Sequence, residues 1–364
     1  MLIYAVGGTV GAVTGSRISR GVQAALLAAF LFGAGTPIAK TLLGTVSPWL
    51  LAGLLYTGSG VGLALWRALR RAQPVRLARR ELLPLAGAVL SGGVVAPILL
   101  MVGLSALPAT GASLLLNAEG VLTALLAWVV FRENVDRWVA LGMTAIVAGA
   151  VVLVVPLGVE FGTGWPALAV IGACLGWAID NNLTRMVSLT DASWLAAVKG
   201  LVAGPTNLVL ALVVGAALPP LVNVAAALLV GFFAYGVSLV LFIVGLRHLG
   251  TARAGAYYSV APFLGAALAV AMGEPVTRPL VVAGMLMALG VWLHLRERHA
   301  HEHPHRAIVH GHAHTHDDGH HDHTHPDGEP LPGSGHSHRH EHQALTHSHP
   351  HYPDAHHRHG HQSP

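Results

Sequence analysis

A few polar side chains interrupt otherwise apolar stretches of this sequence, and these are the residues that could do chemistry. An ionisable group inside a long apolar segment is costly to place in lipid and usually serves substrate or ion handling. Aromatic residues in such segments can line a cavity. The candidates for substrate binding or ion coupling are Glu119, Asn117, Lys199, Asp180, Asn181, Tyr258 and Trp177. None of them forms a catalytic motif.

Glu119 is the sharpest of these candidates. Its carboxyl group could take up and release a proton during a transport cycle, or it could bind a cationic group. Two structural alternatives stay open: an ion pair, for example with Lys199, or a protonated glutamate that hydrogen-bonds to a neighbouring helix. Asn117 lies two residues earlier, about 200° away on an ideal helix, so the two side chains are not expected on one face.

The other candidates also have structural interpretations. Lys199 could extend its ammonium group to the membrane surface. Asp180 and Asn181, with Asn182, could form a polar helix end on the cytoplasmic side. Tyr258 and Trp177 could be packing or interface residues.

The last 66 residues hold 23 of the 25 histidines and almost no apolar side chains. Such a segment cannot bury a core, so we expect it to be disordered. Neutral imidazole is a common ligand for zinc, nickel and cobalt, so these metals are expected to bind here, although no cofactor is required. The candidate ligands are His310, His312, His314, His316, His320, His321, His323, His325, His336, His338, His340 and His342.

Three interpretations of this histidine-rich tail remain open. It could sense or buffer a divalent metal that the protein exports. It could regulate the transport of another substrate. It could also be a low-complexity appendage with incidental metal affinity.

The composition defines the class of protein. The chain is 53% hydrophobic and only 10% charged, whereas soluble domains average roughly 25% charged residues. Its apolar runs are long enough to cross a bilayer as helices. We predict an all-α membrane protein with ten transmembrane helices, at about 21–39, 48–66, 82–104, 108–130, 138–155, 165–183, 193–215, 223–246, 254–272 and 279–295.

The chain also contains an internal repeat. The stretch from Thr110 to Val147 aligns with the stretch from Thr251 to Leu289, so that Glu133 meets Glu274. With five helices in each half, the second half must cross the membrane in the opposite direction, which gives two inverted-topology repeats. Secondary transporters often use this arrangement. Capping or ion pairing is the preferred interpretation of the two glutamates.

Arginine predicts the orientation. If both termini lie on one side, fifteen arginines fall there, and only Lys40 and Arg278 fall on the other side. Because basic residues mark the cytoplasmic side, both termini are expected in the cytoplasm and the protein in the plasma membrane.

With two inverted halves of five helices and the acidic turns Phe131-Arg132-Glu133 and Gly273-Glu274-Pro275, the chain resembles the EamA family of the drug/metabolite transporter superfamily. The resemblance implies a plasma-membrane carrier, often an exporter of amino acids or other metabolites. It does not imply one substrate.

The sequence therefore predicts an N-terminal extension (1–20), two five-helix repeats (21–155 and 165–295) and a disordered metal-binding tail (299–364). The predicted function is secondary-active export of small metabolites. The alternatives are export of nickel, cobalt or zinc, and a membrane-anchored metal store without transport. No nucleotide loop or nucleophile motif suggests an enzyme. The expected partners are a small-molecule substrate and the lipid bilayer, without nucleic acid; a homodimer is one compatible assembly.

Overall fold

A computed structural model describes residues 15–72, 75, 77–131, 137–154, 164–185, 187, 191–249 and 257–295, and four segments of the tail at 300–305, 308–314, 336–342 and 345–350. The chain divides into two compact units, Met1–Glu297 and Arg298–Pro364. The described part of the first unit is helical.

The first half of the helical unit contains seven α-helices and one π-helix among the described residues. Ser47 illustrates how they begin, because its hydroxyl caps the Leu50 amide ahead of a proline in the first turn. The elements are α1 (Gly15–Leu42), α2 (Pro48–Leu69), α3 (Arg79–Ala88), π1 (Val89–Val95), α4 (Ala96–Ala106), α5 (Ala109–Leu115), α6 (Ala118–Phe131) and α7 (Arg137–Val154).

The second half continues in the same manner. Its described elements are α8 (Trp165–Arg185), α9 (Ala192–Val213), α10 (Leu221–Val230), π2 (Gly231–Val237), α11 (Ser238–Leu249), α12 (Ala261–Ala271) and α13 (Arg278–Leu295).

Six helical segments of the described chain are long and apolar enough to cross a membrane, and three shorter apolar helices accompany them. The protein is thus a helical membrane protein, as predicted, while the count of ten spans stays a prediction. The first apolar span begins at Gly21, as predicted, although the helix that contains it, α1, already begins at Gly15. Residues 15–20 belong to a helix although they include two arginines and two serines.

Two π-helices interrupt the third helical segment of each half. π1 and π2 are seven residues long, and their first residues, Val89 and Gly231, are 142 positions apart. A π-helix widens the backbone and leaves carbonyl groups available for other donors, which is why such stretches often accompany functional sites. Neither π-helix has a sequence pattern that predicts it.

The predicted span 108–130 is not one continuous helix. Leu116 and Asn117 form a turn between α5 and α6, and Ser259 and Val260 form a similar turn directly before α12. The angle of about 200° between Asn117 and Glu119 assumed an unbroken helix, whereas Asn117 lies in the turn and Glu119 in α6.

Helix packing follows a paired pattern. The most extensive contacts join α2 to α9 and α7 to α13. Further contacts join α1 to α11 and α12, while α8 packs against α4 and α6. The core between these helices is filled by large side chains that are almost fully buried, including Leu51, Leu55, Leu100, Met101 and Leu104.

Small residues let α2 and α9 approach closely. A Cβ atom added at Gly60 would collide with the backbone of Gly200, and one added at Gly200 would collide with the backbone of Gly60. Helices in lipid gain much of their association from such close backbone contact. This contact fixes the positions of the residues that α2 and α9 carry.

The tail unit differs from the predicted disorder. Its described segments are four strands, β1 (Ala300–His305), β2 (Ile308–His314), β3 (His336–His342) and β4 (Leu345–Pro350). β1 pairs with β4 and β2 with β3, both antiparallel. Composition alone pointed to disorder, but alternating histidines have the period of two that a strand also has.

Candidate functional site

Two ends of the helical bundle frame the site. We call the end that holds Lys40 and Glu274 the Lys40 end, and the end that holds Arg67 and Asp191 the Arg67 end. α5 starts at the Lys40 end, and Glu119 lies ten residues beyond Ala109, about 15 Å along the chain of helices. Glu119 therefore lies deep within the bundle.

Glu119 receives a hydrogen bond from an amide side chain of the other half. The Asn181 Nδ2 atom donates to Oε1 of Glu119 over 2.9 Å, and it also lies 3.5 Å from the Thr123 hydroxyl. In the described part of the chain, no lysine or arginine pairs with this carboxylate. The structure thus brings together two of the predicted site residues.

Asn181 is exposed on the interior side of α8. Leu168, Leu175 and Ile179 form another exposed stripe of this helix, with 65%, 41% and 37% of their surface accessible. Asn181 lies about 200° away from Ile179 around the helix. Its exposure is therefore on the side that meets Glu119 of α6, away from the face with the apolar stripe.

Asp180 and Lys199 form an ion pair between α8 and α9. The Lys199 ammonium lies 2.5 Å from Oδ1 of Asp180 and 2.8 Å from the Thr184 hydroxyl, and both charged side chains are largely buried. The suggested pairing of Lys199 with Glu119 was therefore wrong, because Lys199 pairs with Asp180. The physical reason is the packing of α8 on α9, which a single sequence does not reveal.

The carbonyl groups of π1 bind side chains from three other helices. The Trp177 Nε1 atom donates to the Gly92 carbonyl over 3.0 Å, and the Tyr56 hydroxyl donates to the same oxygen over 2.7 Å. The Asn207 amide donates to the Gly93 carbonyl over 3.0 Å. Tyr56 was not among the predicted site residues, because nothing in its local sequence indicates that π1 frees a carbonyl nearby.

Aromatic rings from both halves meet beside these hydrogen bonds. Phe32 of α1 contacts Trp177, Tyr235 and Tyr258, with ring centroids 6.5, 5.9 and 5.6 Å apart. Tyr56 lies 5.6 Å from Tyr235. We call these five residues the aromatic cluster. Trp177 and Tyr258 were predicted from the sequence. The other three were not, because their neighbouring residues resemble those of any apolar helix.

Glu119 is linked to this aromatic cluster through α8. Asn181, which donates to Glu119, lies one helical turn after Trp177 and on the same face of the helix. Asn117 is buried in the turn between α5 and α6, where its amide donates to the Leu114 carbonyl over 2.9 Å. Asn117 thus holds the helix break, whereas Glu119 follows it.

The Lys40 end is closed by side chains that bind helix ends. Both carboxylate oxygens of Glu274 accept backbone N–H groups, those of Ala109 and Thr110, over 2.7 and 2.8 Å. The Lys40 ammonium donates to the carbonyls of Leu104 and Ser105 over 2.7 and 3.1 Å. The capping role predicted for Glu274 is confirmed; Glu133 lies outside the described residues.

A pocket of about 120 Å³ lies between Lys40 and Glu274. Sites for small organic ligands usually measure roughly 300–1,000 Å³. The pocket is thus too small to hold a metabolite, and the site residues lie deeper in the bundle.

Part of the predicted metal site lies in the described strands of the tail. The register pairs His310 with His340, His312 with His338 and His314 with His336. Five predicted ligands lie outside the described residues: His316, His320, His321, His323 and His325. Within the described chain, no group of three or more histidine, cysteine, aspartate or glutamate residues is placed to hold a metal ion.

Interrupted helices that carry a carboxylate and aromatic rings inside a helical membrane bundle are typical of membrane transporters. The model of the EamA-like transporter family matches residues 19–155 and again residues 164–296. The chain belongs to this family. Family membership indicates a transporter rather than an enzyme.

Two similar proteins accord with this assignment. An uncharacterized transporter of Methanothermobacter thermautotrophicus is 28% identical over 289 residues, which cover 74% of this chain and 84% of that protein. A solved structure, described only as the crystal structure of a protein, matches with a TM-score of 0.58 and 19% identity over 77% of this chain and 96% of its own. That structure supports the fold alone.

Proposed function

We propose that the protein is a secondary-active exporter of small metabolites such as amino acids. The observation that carries the proposal is the site at mid-depth, where Glu119 follows a helix break, accepts a hydrogen bond from Asn181 and lies near the aromatic cluster. Interrupted helices with polar groups near the midplane are typical of substrate sites in secondary transporters.

Helix packing supports the proposed inverted repeat. A two-fold axis that relates the halves would exchange α1 with α8 and α4–α6 with α11 and α12. The contact of α1 with α11 then corresponds to that of α8 with α4, and the contact of α1 with α12 to that of α8 with α6. The α2–α9 and α7–α13 contacts would lie on the axis. The equivalent placement of π1 and π2 supports the same symmetry.

Transport itself is testable by counterflow in proteoliposomes. Vesicles with the full-length chain are loaded with unlabelled metabolites in turn, amino acids first, and the entry of the labelled compound is followed. We expect entry for at least one metabolite and a loss of entry in Glu119→Gln. Glu81→Gln is the matched control, because Glu81 only caps its own helix start through the Ala78 amide. If none of the metabolites exchanges, the proposal is wrong.

We propose that the protein spans the plasma membrane with both termini in the cytoplasm. Replacing Cys174→Ser removes the only cysteine, after which Thr277→Cys and Arg71→Cys mark the two ends. Both positions are exposed. A membrane-impermeant maleimide should label the first in intact cells and the second only after lysis; the reverse result would invert the topology.

We further propose that the tail binds zinc, nickel or cobalt. The register that sets His310, His312 and His314 opposite His340, His338 and His336 supports this proposal. Export of such a metal is the second candidate function, and storage without transport is the third.

The tail proposal is tested with the full-length chain by nickel titration calorimetry. Replacing His310, His312 and His314 by Asn should remove the tightest binding, while replacing His356, His357 and His359 by Asn is the matched control. Equal losses in both would contradict a role for the register. Deleting residues 299–364 without any change in cellular nickel, cobalt or zinc tolerance would eliminate metal export.

A further inference from the structure

We propose that Glu119 and the aromatic cluster form a binding site for a protonated amine attached to an apolar or aromatic body. This inference rests on the proposed transport function and specifies its substrate class. The ligand carries a net positive charge. Its ammonium group is bound by the Glu119 carboxylate, and its apolar body lies against the rings.

The first support is the charge balance of the site. Asp180 and Lys199 lie in contact and cancel each other, with the Thr184 hydroxyl completing the group. Glu119 has only the neutral Asn181 amide as a hydrogen-bond partner among the described residues. An ionised carboxylate without a cation is costly in the membrane interior, so an incoming cation supplies the missing charge.

The second support is the chemistry of the surrounding rings. Aromatic faces attract ammonium groups when the cation lies within about 6 Å of the ring centroid. Trp177 lies one helical turn before Asn181, the hydrogen-bond partner of Glu119, and its ring contacts Phe32, which also contacts Tyr235 and Tyr258. A cation at the carboxylate therefore has ring faces as its next neighbours, and an apolar body can continue along them.

The third support concerns ligands with a carboxylate. The basic group near the site is Lys199, and its ammonium is already held by Asp180 and Thr184. Drawing Lys199 toward a ligand carboxylate would leave Asp180 buried without a partner, which costs several kcal/mol. The site therefore favours an amine over the corresponding zwitterionic amino acid.

The access route fits the same ligand. Asn181 is exposed toward the interior of the bundle and is hydrogen-bonded to Glu119. At the Lys40 end, Lys40 and Glu274 bind the helix ends. An amine therefore reaches Glu119 from the interior space that Asn181 lines, and its ammonium can replace the Asn181 amide as the donor.

The test compares three probes of one size: phenethylamine, phenylalanine and 3-phenylpropionate. Each is titrated into the detergent-purified full-length chain, and the shift in melting temperature and the affinity are measured. We expect phenethylamine to bind at least about ten-fold more tightly than phenylalanine, because the extra carboxylate of phenylalanine would be buried without a cation while Lys199 stays with Asp180. We expect no shift with 3-phenylpropionate. Equal binding of phenethylamine and phenylalanine would overturn the inference.

Variants establish where the amine binds. Glu119→Gln should lower phenethylamine affinity at least about ten-fold, and Glu119→Asp, which keeps the charge, should retain most of it. Tyr258→Leu should weaken binding several-fold, while Tyr257→Leu is the matched control. Each variant is first required to melt as the parent does without ligand, and the Asp variant keeps the test valid if Gln impairs folding.

The outcomes separate this inference from the general function. If proteoliposomes exchange metabolites but Glu119→Gln leaves amine binding unchanged, the amine site is wrong and the transport function stands. If no metabolite exchanges although phenethylamine binds through Glu119, the transport function is wrong and the site stands.

Discussion

Asp180 and Lys199 neutralise each other in the middle of the bundle, and each depends on the other. A buried charge that loses its partner retains the full cost of desolvation, whereas a neutral pair of similar size does not. Gly92 packs directly against the Asp180 side chain, since a Cβ atom added at Gly92 would collide with it. The pair is therefore a structural element beside the proposed site.

We predict that Lys199→Met alone destabilises the protein by about 3–5 kcal/mol, and that adding Asp180→Asn restores most of that loss. Thermal unfolding of the single and double variants in detergent measures both effects. A double variant less stable than the single variant would show that the two side chains do not act as a pair.

Asp191 caps the start of α9 at the Arg67 end. Its carboxylate accepts the Ser193 amide over 2.8 Å and the Trp194 amide over 3.2 Å, and Arg67 lies 3.0 Å away. Burial opposes ionisation of Asp191, but the hydrogen bonds from Ser193 and Arg67 outweigh it, so the pKa of Asp191 lies below its usual value. The charged form is therefore the one that stabilises the fold.

We predict that Asp191→Ala costs about 1 kcal/mol at neutral pH, the usual value of an N-cap. Because the folded pKa is lowered, this stabilisation is present above the unfolded pKa of about 4 and is lost as the pH falls through the folded value. The ion pair adds little, since Asp191 is 42% exposed. The difference in melting temperature between parent and variant at pH 7 should shrink at pH 3. The same difference at both pH values would contradict the cap.

Single residues were predictable where their type alone is costly in lipid. Glu119, Asp180 and Lys199 stand out in an apolar run, and all three lie in or beside the site. Their partners were not predictable, because Glu119 and Lys199 lie on different helices and a single sequence does not show which helices pack together. Tyr56 and Phe32 were missed, since an aromatic residue in an apolar helix carries no signal of its own.

At the scale of elements, the α2–α9 contact depends on two glycines. Gly60 and Gly200 face each other so closely that neither position has room for a methyl group. The contact also fixes Tyr56 on α2 and Asn207 on α9, which both bind carbonyls of π1.

We predict that Gly200→Ala destabilises the protein by about 1–3 kcal/mol, the usual cost of overpacking. Gly111→Ala is the matched control, because a Cβ atom there meets nothing within 4 Å, and alanine favours the helix. Thermal unfolding distinguishes the two. Equal melting temperatures would show that the helices separate without cost.

Helices were predictable as elements, but their interruptions were not. Apolar runs bounded by Pro and Gly give each helix an approximate place, and α2 and α9 begin within two residues of the prediction. π1, π2 and the turn at Leu116 and Asn117 have no such mark, because they arise where helices from the other half supply hydrogen bonds and space. These interruptions create most of the site.

At the scale of the whole molecule, Glu274 joins the two halves. It belongs to the second half and caps α5 of the first half through the Ala109 and Thr110 amides. In the proposed secondary-active cycle each end opens in turn, so the contact that closes the Lys40 end breaks once per cycle.

We predict that Glu274→Ala increases hydrogen exchange of the amides at 109–115 at least about ten-fold, because a charged hydrogen-bond acceptor is lost. Glu81→Ala is the control, since Glu81 caps only within its own half. Mass spectrometry of exchanged peptides measures the effect. Unchanged exchange at 109–115 would show that α5 is held closed by packing alone.

The helical membrane character of the whole molecule followed from composition, and family membership followed from the two halves. The paired packing of α1 with α11 and of α8 with α4 required the structure, because no feature of one sequence specifies which helices of the two halves touch. The strands of the tail were also missed, since histidine content says nothing about pairing.

The corner between α4 and α5, at residues 104–110, affects which positions can change in sequence among related proteins. Lys40 binds the corner through carbonyl oxygens and Glu274 through backbone amides. Every residue type has a backbone carbonyl, and every type except proline has a backbone N–H group. Mutations at 104–110 can therefore accumulate as long as α4 still ends and α5 still begins there. A substitution of Lys40 or Glu274, in contrast, removes the contact. Among related chains, we expect the corner to drift in sequence around two fixed charges.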